Sequence, residues 1–323
     1  MRIDPELYAL RSNSAPQRKA QQMLEGAKDD WRSTPQNRAI FDDLARFGAG
    51  AALHECDRLE RLFTQAKTAR VFTEKLIAAL LPEMASHPLG QIPFRHQNSG
   101  AVSVLQIAAS GQATMSLVMY ERTGGSCDQQ TVCFTDCQRH EAVLAGHAAI
   151  EIVRRDNSGE NTANLHQESL ALAQGDTLAL SGRTETKIIK QVADRLLVLR
   201  LSRSPVSPMA SLEFRLSDGV LVHRASGERR DSRHELMLAL LGRMGRIDAA
   251  PIMAEMTQTG ADHLRWEALR ECLALDTVEG FSALNAMAKD QGDTLCVHAQ
   301  TLRAQLIETH PELAAIESML CPA

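Results

Sequence analysis

Apolar positions change their spacing three times along the chain. Residues 1–36 are polar and carry Pro5, Pro16 and Pro35, with a short amphipathic stretch over 17–24, which predicts a flexible, loosely attached lead segment. Over 37–90 the apolar residues recur at helical spacing, as in Ile40, Leu44 and Phe47 and then Leu59, Leu62 and Phe63, so two or three helices are expected. Gly48 and Gly50 separate the first two, and His87-Pro88-Leu89-Gly90 ends the segment. From 91 to 230 the period falls to about two, the alternation of a half-buried strand. A hairpin is predicted from 102–107 and 114–120 around Ser110-Gly111, followed by short strands at 132–134, 141–144, 148–153, 169–172, 177–180, 187–190 and 196–201. A linker over 202–208 leads to a last hairpin around Ser217-Asp218-Gly219, and helical spacing returns at Ser232. Many short strands without helical crossovers mean an antiparallel sandwich or barrel. The expected fold class is therefore α+β: N-terminal helices, a central antiparallel β-sandwich or barrel, and a C-terminal antiparallel helical-repeat segment, with domains at 1–36, 37–90, 91–230 and 231–323.

Within the last segment a weak repeat of about 32 residues relates 233–241 to 265–273, and 297–306 roughly follows. Second helices are expected at 249–256 and 278–288, so each unit is a helix pair. Over 232–310 such pairs resemble HEAT-like repeats.

Composition narrows the partners. Hydrophobic residues make up 44% and charged ones 23%, enough for a substantial core, but aromatics at 4% leave few platforms for base stacking. Residues 231–323 hold 7 Lys/Arg against 14 Asp/Glu, whereas 91–230 are balanced at 15 against 14. The C-terminal segment is thus repelled by phosphate backbones, and nucleic acid is not an expected partner. No run reaches the 18 apolar residues of a membrane span, so no membrane is expected either; the run 76–81 is interrupted at Pro82. Seven scattered Cys (56, 127, 133, 137, 272, 296 and 321) and an N-terminus without signal-peptide character point to free thiols and a cytoplasmic location.

Three features of the central segment carry a family resemblance: Val143-Leu144-Ala145-Gly146 before the strand 147–153, Leu172-Ala173-Gln174-Gly175-Asp176, and the closing apolar strand 196–201. Together they resemble the two motifs of the cupin superfamily, over a domain of about 91–222. The resemblance implies a β-barrel with a pocket. Metal-dependent cupins hold an ion with two His and a Glu on the first motif and a His on the second, and imidazole with carboxylate suits Fe, Mn, Ni or Zn. Counting from Gly146 and Gly175 puts Cys133, Thr135, Arg139 and Thr186 at those positions. None is a His or a carboxylate, and Arg139 brings a fixed positive charge where a cation belongs. A shift of alignment by one or two residues brings in His140, Glu141, His147 and His166 as an alternative ligand set.

Other patterns compete less well. Cys127, Cys133, Cys137 and His140 superficially offer four zinc ligands, but only Cys133 and Cys137 approach the spacing of a zinc knuckle. Cys137 has His140 near it in sequence, without an orienting third group. His234-Glu235 lacks the second His of a zinc protease, and the glycines 48, 50, 124 and 125 lack the Lys of a phosphate loop. Arg154-Arg155 and Arg229-Arg230 are short basic pairs of solvated character.

The favoured expectation is a non-catalytic binding or regulatory protein without a cofactor. A metal-free cupin-like domain would offer Cys133, Thr135, Arg139 and Thr186 to a small anionic ligand, and the acidic C-terminal helices would meet another protein, with Trp266 as a candidate anchor if exposed. A sensor resembling AraC-type regulators would need a basic recognition helix, which the acidic balance opposes. The rival class is a metal-dependent cupin oxygenase or isomerase acting on a small molecule.

Overall fold

The structure, a computed structural model, describes residues 13–122, 129–157 and 161–314. The chain divides into two compact units, Met1–Arg224 and Ala225–Ala323, and its class is α+β.

Among the described residues of the first unit, four helices come first, α1 (Ala15–Ser33), α2 (Pro35–Gly48), α3 (Asp57–Thr64) and α4 (Ala66–Ser86). Part of the expected lead segment is therefore ordered helix. Pro16 and Pro35 lie in the first turns of α1 and α2, where a missing N–H costs nothing and the fixed φ suits the helix. Polar residues dominate α1 because only one narrow stripe is covered, formed by Ala20, Leu24 and Trp31. The Trp31 ring lies 5.6 Å edge-on from Phe41 and 5.1 Å from Phe72, tying α1 to α2 and α4. Asp43 of α2 accepts from the backbone N–H of Arg58 (2.8 Å) and Leu59 (3.3 Å), which satisfies the exposed donors at the start of α3. Pro82 lies inside α4, and the helix runs on to Ser86.

Among the described residues twelve strands follow: β1 (Arg95–Ser99), β2 (Val102–Ser110), β3 (Ala113–Glu121), β4 (Thr131–Phe134), β5 (Gln138–Ala145), β6 (His147–Asn157), β7 (Ala163–Ala173), β8 (Thr177–Ser181), β9 (Glu185–Val192), β10 (Arg195–Arg203), β11 (Ser211–Arg215) and β12 (Leu221–Ala225). They form a six-stranded sheet β1-β2-β3-β10-β5-β8 and two three-stranded sheets, β7-β6-β9 and β12-β11-β4. Every registered strand pair is antiparallel. β1 escaped the sequence reading because it is polar and exposed throughout.

Alternation along the strands gives the large sheet two different faces. Met115, Leu117, Ala142, Leu144, Leu199 and Leu201 join the helices in one core with Phe47, Leu59 and Leu62. Val143, Leu196 and Val198 point the other way, onto Ala148, Ile150, Ile152 and Leu172 of the sheet β7-β6-β9. The third sheet adds Val132, Phe134 and Phe214 to a cluster with Val153 and Ile188.

Two glycines fix how these pieces meet. A Cβ on Gly48, the last residue of α2, would lie 1.9 Å from the Ser110 carbonyl oxygen, so only glycine lets the helix end touch the β2–β3 turn. Gly146 joins β5 to β6 at φ 83°, and a Cβ there would lie 1.8 Å from the Arg195 carbonyl oxygen. At the Gly175-Asp176 turn, Asp176 Oδ2 accepts from Ala173 N (2.8 Å) while Gly175 N donates to Val143 O (3.0 Å), which pins the turn to β5.

The second unit contains α5 (Arg229–Arg243), α6 (Ala250–Met256), α7 (Asp262–Leu275), α8 (Thr277–Lys289) and α9 (Cys296–Thr309). α7 is central: Leu264, Ala268 and Cys272 pack with Leu238, Ala250 and Met253, while Leu269 packs with Phe281, Leu284 and Ala299. Asp276 caps α8 by accepting from Val278 N (3.0 Å) and Glu279 N (3.1 Å). Arg265, buried on α7, donates to Thr257 O (2.8 Å) and pairs with Asp293. Trp266 is half-buried against the α8–α9 cluster, its ring 6.3 Å from His298, which gives it a packing role. Among the described residues no helix is long and apolar enough to cross a membrane.

Candidate functional site

One polar row crosses the inner face of the large sheet. Strand pairing aligns Glu141 of β5 with Arg200 of β10, and Arg200 with Ser116 of β3. Glu141 is 1% exposed, too buried to be ionised without partners. Two cations supply them. Arg200 Nε donates to Glu141 Oε1 at 2.8 Å, and Lys187 of β9, reaching from the opposite sheet, donates to Oε2. Arg200 also bonds the Tyr120 hydroxyl, and the Lys187 ammonium sits 5.5 Å from the Tyr120 ring centroid. Burial pushes the Glu141 carboxyl up, but the charges of Lys187 and Arg200, the Lys187 hydrogen bond and the charge of Arg139 outweigh it and hold the pKa at about 2.

The sequence-derived pocket residues do not gather around this cluster. Arg139 shares the β5 face with Glu141, and its Nε is buried without an acceptor. Thr135 precedes β5, with its hydroxyl 3.3 Å from Cys137 Sγ. Cys133 on β4 is exposed and alternates with Val132 and Phe134, which turn inward. Thr186 pairs with Val153 on the face of β9 opposite Lys187.

The alternative ligand set is also scattered. Glu141 faces the interior, while the next residue, His140, shares the helix-side face with Ala142, and burial and the charge of Arg203 lower its pKa. His147 is exposed at the start of β6. His166 lies exposed on β7, 3.1 Å from Asp156. Among the described residues no group of three or more His, Cys, Asp or Glu is placed to hold a metal ion. An ion entering beside Glu141 would meet Lys187, Arg200 and Arg139, an unsuitable donor set for a cation. Cys127, part of the four-ligand zinc pattern, lies outside the described residues, as do Gly124 and Gly125. Cys137 and His140 sit on alternating positions of one chain segment without a third group to orient them.

Sequence reading missed Lys187, Arg200 and Tyr120. Arg200 carried a signal, since it interrupts the apolar run 196–201; a charge inside an otherwise buried strand needs a partner.

A second feature of this unit is an open cleft of about 400 Å³ at one end of the large sheet. It is bounded by the end of α2 at Gly48 and Gly50, Gln112 of the β2–β3 turn, Asp136 to Gln138, Ser181, Arg183, and Arg203 to Val206. Arg203 forms part of its wall: Nη1 donates to Phe47 O (2.9 Å) and Ala51 O, Nη2 to Gln138 Oε1 (2.7 Å), and the guanidinium stacks 4.0 Å from the Phe47 ring centroid.

No family model and no curated protein matches the chain. Solved structures similar to parts of it include an ectoine synthase from P. lautus, 10% identical over 34% of this chain and 70% of that one, with a TM-score of 0.24. KdgF from Halomonas sp. is 15% identical over 35% of this chain and 88% of its own, TM-score 0.24. A sugar phosphate isomerase from a cupin superfamily of Silicibacter pomeroyi is 12% identical over 41% and 88%, TM-score 0.26. Likenesses of this extent assign neither an activity nor a ligand.

Proposed function

We propose that this chain is a non-catalytic binding or regulatory protein, in which a metal-free cupin-like β-domain is joined to a HEAT-like helical unit that meets another protein. The observation that carries this reading is the state of Glu141. Glu141, a carboxylate aimed into the interior, is already neutralised by Lys187 and Arg200, with Arg139 nearby. Three cations around one anion disfavour a metal ion there. The test is metal analysis of protein purified without chelator: no Fe, Mn, Ni or Zn near one equivalent is expected. A stoichiometric ion abolished by Glu141→Gln would overturn the proposal in favour of a metal-dependent cupin oxygenase or isomerase.

The helical partner surface is best supported on α5. Leu236, Met237, Leu240 and Met244 are all more than half exposed, and at 100° per residue they share one face with the exposed Arg230, Arg233 and Arg243. This basic, apolar face stands out in a segment of acidic balance, so its charge fits an acidic amphipathic segment of another protein. A synthetic amphipathic helix flanked by Glu should bind at least about tenfold more tightly in fluorescence anisotropy than the same peptide flanked by Lys. Equal binding of the two peptides contradicts this assignment.

A further inference from the structure

We propose that the cleft at the end of the large sheet binds a small organic anion, a carboxylate or a phosphate ester, with Arg183 as its charged anchor. This inference deepens the binding role proposed above and places the ligand outside the sheet interior, which Glu141, Lys187 and Arg200 already fill.

The walls of the cleft are fixed by bonds that do not depend on a ligand. Gln112 N donates to Gly48 O at 3.0 Å and Ser204 N to Gln112 O at 3.3 Å, so helix end, turn and strand end are stitched together. Asp136 Oδ2 accepts from Met209 N at 2.9 Å, which ties the segment after Val206 back across the cleft. The β8–β9 turn is held just as firmly: Thr135 N donates to Gly182 O (3.0 Å), Gly182 N to Cys137 O (2.7 Å) and Thr184 N to Ser181 O (2.9 Å). A Cβ on Gly182 would lie 2.6 Å from Thr135 O and 2.8 Å from Cys137 Sγ, so this close approach requires glycine. The Arg183 carbonyl accepts from Arg155 Nε at 2.6 Å.

Arg183 thus has a pinned backbone and an exposed guanidinium that pairs with no acid among the described residues. Arg203 faces the same space with most of its donors committed to Phe47, Ala51 and Gln138. The charged lining is Arg183 and Arg203 against Asp136, a net positive balance. Ser181, Ser204, Gln112 and Gln138 supply hydrogen-bonding groups, and Pro205 and Val206 an apolar side. The cleft is at the lower end of the roughly 300–1,000 Å³ range of small-molecule sites. A guanidinium fork presented on a rigid turn suits a planar carboxylate or a phosphate group.

Cys137 lines the cleft and reports on it, whereas Cys133 is exposed on β4 outside it. The experiment is N-ethylmaleimide labelling of the full chain read by peptide mass spectrometry, with isothermal titration, using inorganic phosphate and succinate as separate probes. At least one probe is expected to bind saturably and to slow Cys137 labelling several-fold without changing Cys133. Arg183→Gln should weaken that binding at least tenfold, and Asp136→Asn, which keeps the acceptor for Met209 N and removes the repelling charge, should tighten it. Preference for phosphate identifies the phosphate-ester class and preference for succinate the carboxylate class. No saturable binding of either probe, or equal binding by Arg183→Gln with an unchanged circular dichroism spectrum, overturns the proposal. The binding role itself is tested separately by the metal analysis.

Discussion

The two faces of β5 and β10 use the same backbone for opposite ends. Toward the helices, Ala142, Leu144, Leu199 and Leu201 form part of a continuous apolar core with Phe47 and Leu59. Toward the second sheet, Glu141 and Arg200 put buried charge beside Val143, Leu196 and Val198 and need Lys187 and Tyr120 to be tolerated. Apolar burial stabilises in proportion to area, whereas a buried ion pair returns little beyond its own desolvation cost. The helix-facing side therefore holds the unit together, and the inner side carries a charge arrangement that stability alone does not demand.

Breaking the inner face at one partner should have the largest effect. Glu141→Gln leaves Lys187 and Arg200 buried without a counter-charge and should cost about 3–5 kcal/mol in urea unfolding. On the helix side, Leu199→Ala should cost about 2–5 kcal/mol through the cavity it opens, and its effect should not vary with pH. Acid separates the faces further. The Glu141 pKa is lowered from 4.5 to about 2, so its stabilisation is present above about pH 4.5 and is lost as pH falls towards 2. The shift corresponds to about 3 kcal/mol, and Glu141→Gln should lack that part of the acid dependence. The smallest effect is expected when the whole cluster is replaced: Glu141→Leu with Lys187→Met and Arg200→Met should lie within about 2 kcal/mol of the parent, because the desolvation cost disappears along with the pairing.

The contrast also shows what sequence could and could not disclose. Period-two alternation located most strands, since burial on at least one face leaves a pattern; β1, exposed throughout, left none. The prolines at 16 and 35 were read as loop markers, yet first-turn proline is compatible with a helix, and only the distant partners of Trp31 decide between the two. At the site, a difference of one residue decides which face a side chain takes. Thr186 was placed inward and Lys187 is the inward residue; His140 and Glu141 were grouped and they face opposite sides. In a strand, a slip of one exchanges the faces, so a motif count can identify the right strand and the wrong side chain. The cleft beside Arg183 joins parts as distant in sequence as Gly48 and Val206, and no local pattern brings these together.

The central claim is that Glu141 is an anion locked between cations and unavailable as a ligand or a proton carrier near neutral pH. A carboxyl carbon-13 NMR titration of the folded protein, assigned through Glu141→Gln, measures this directly. The account predicts a midpoint well below the ordinary carboxylate range, near 2. A midpoint at or above 4.5 would contradict it.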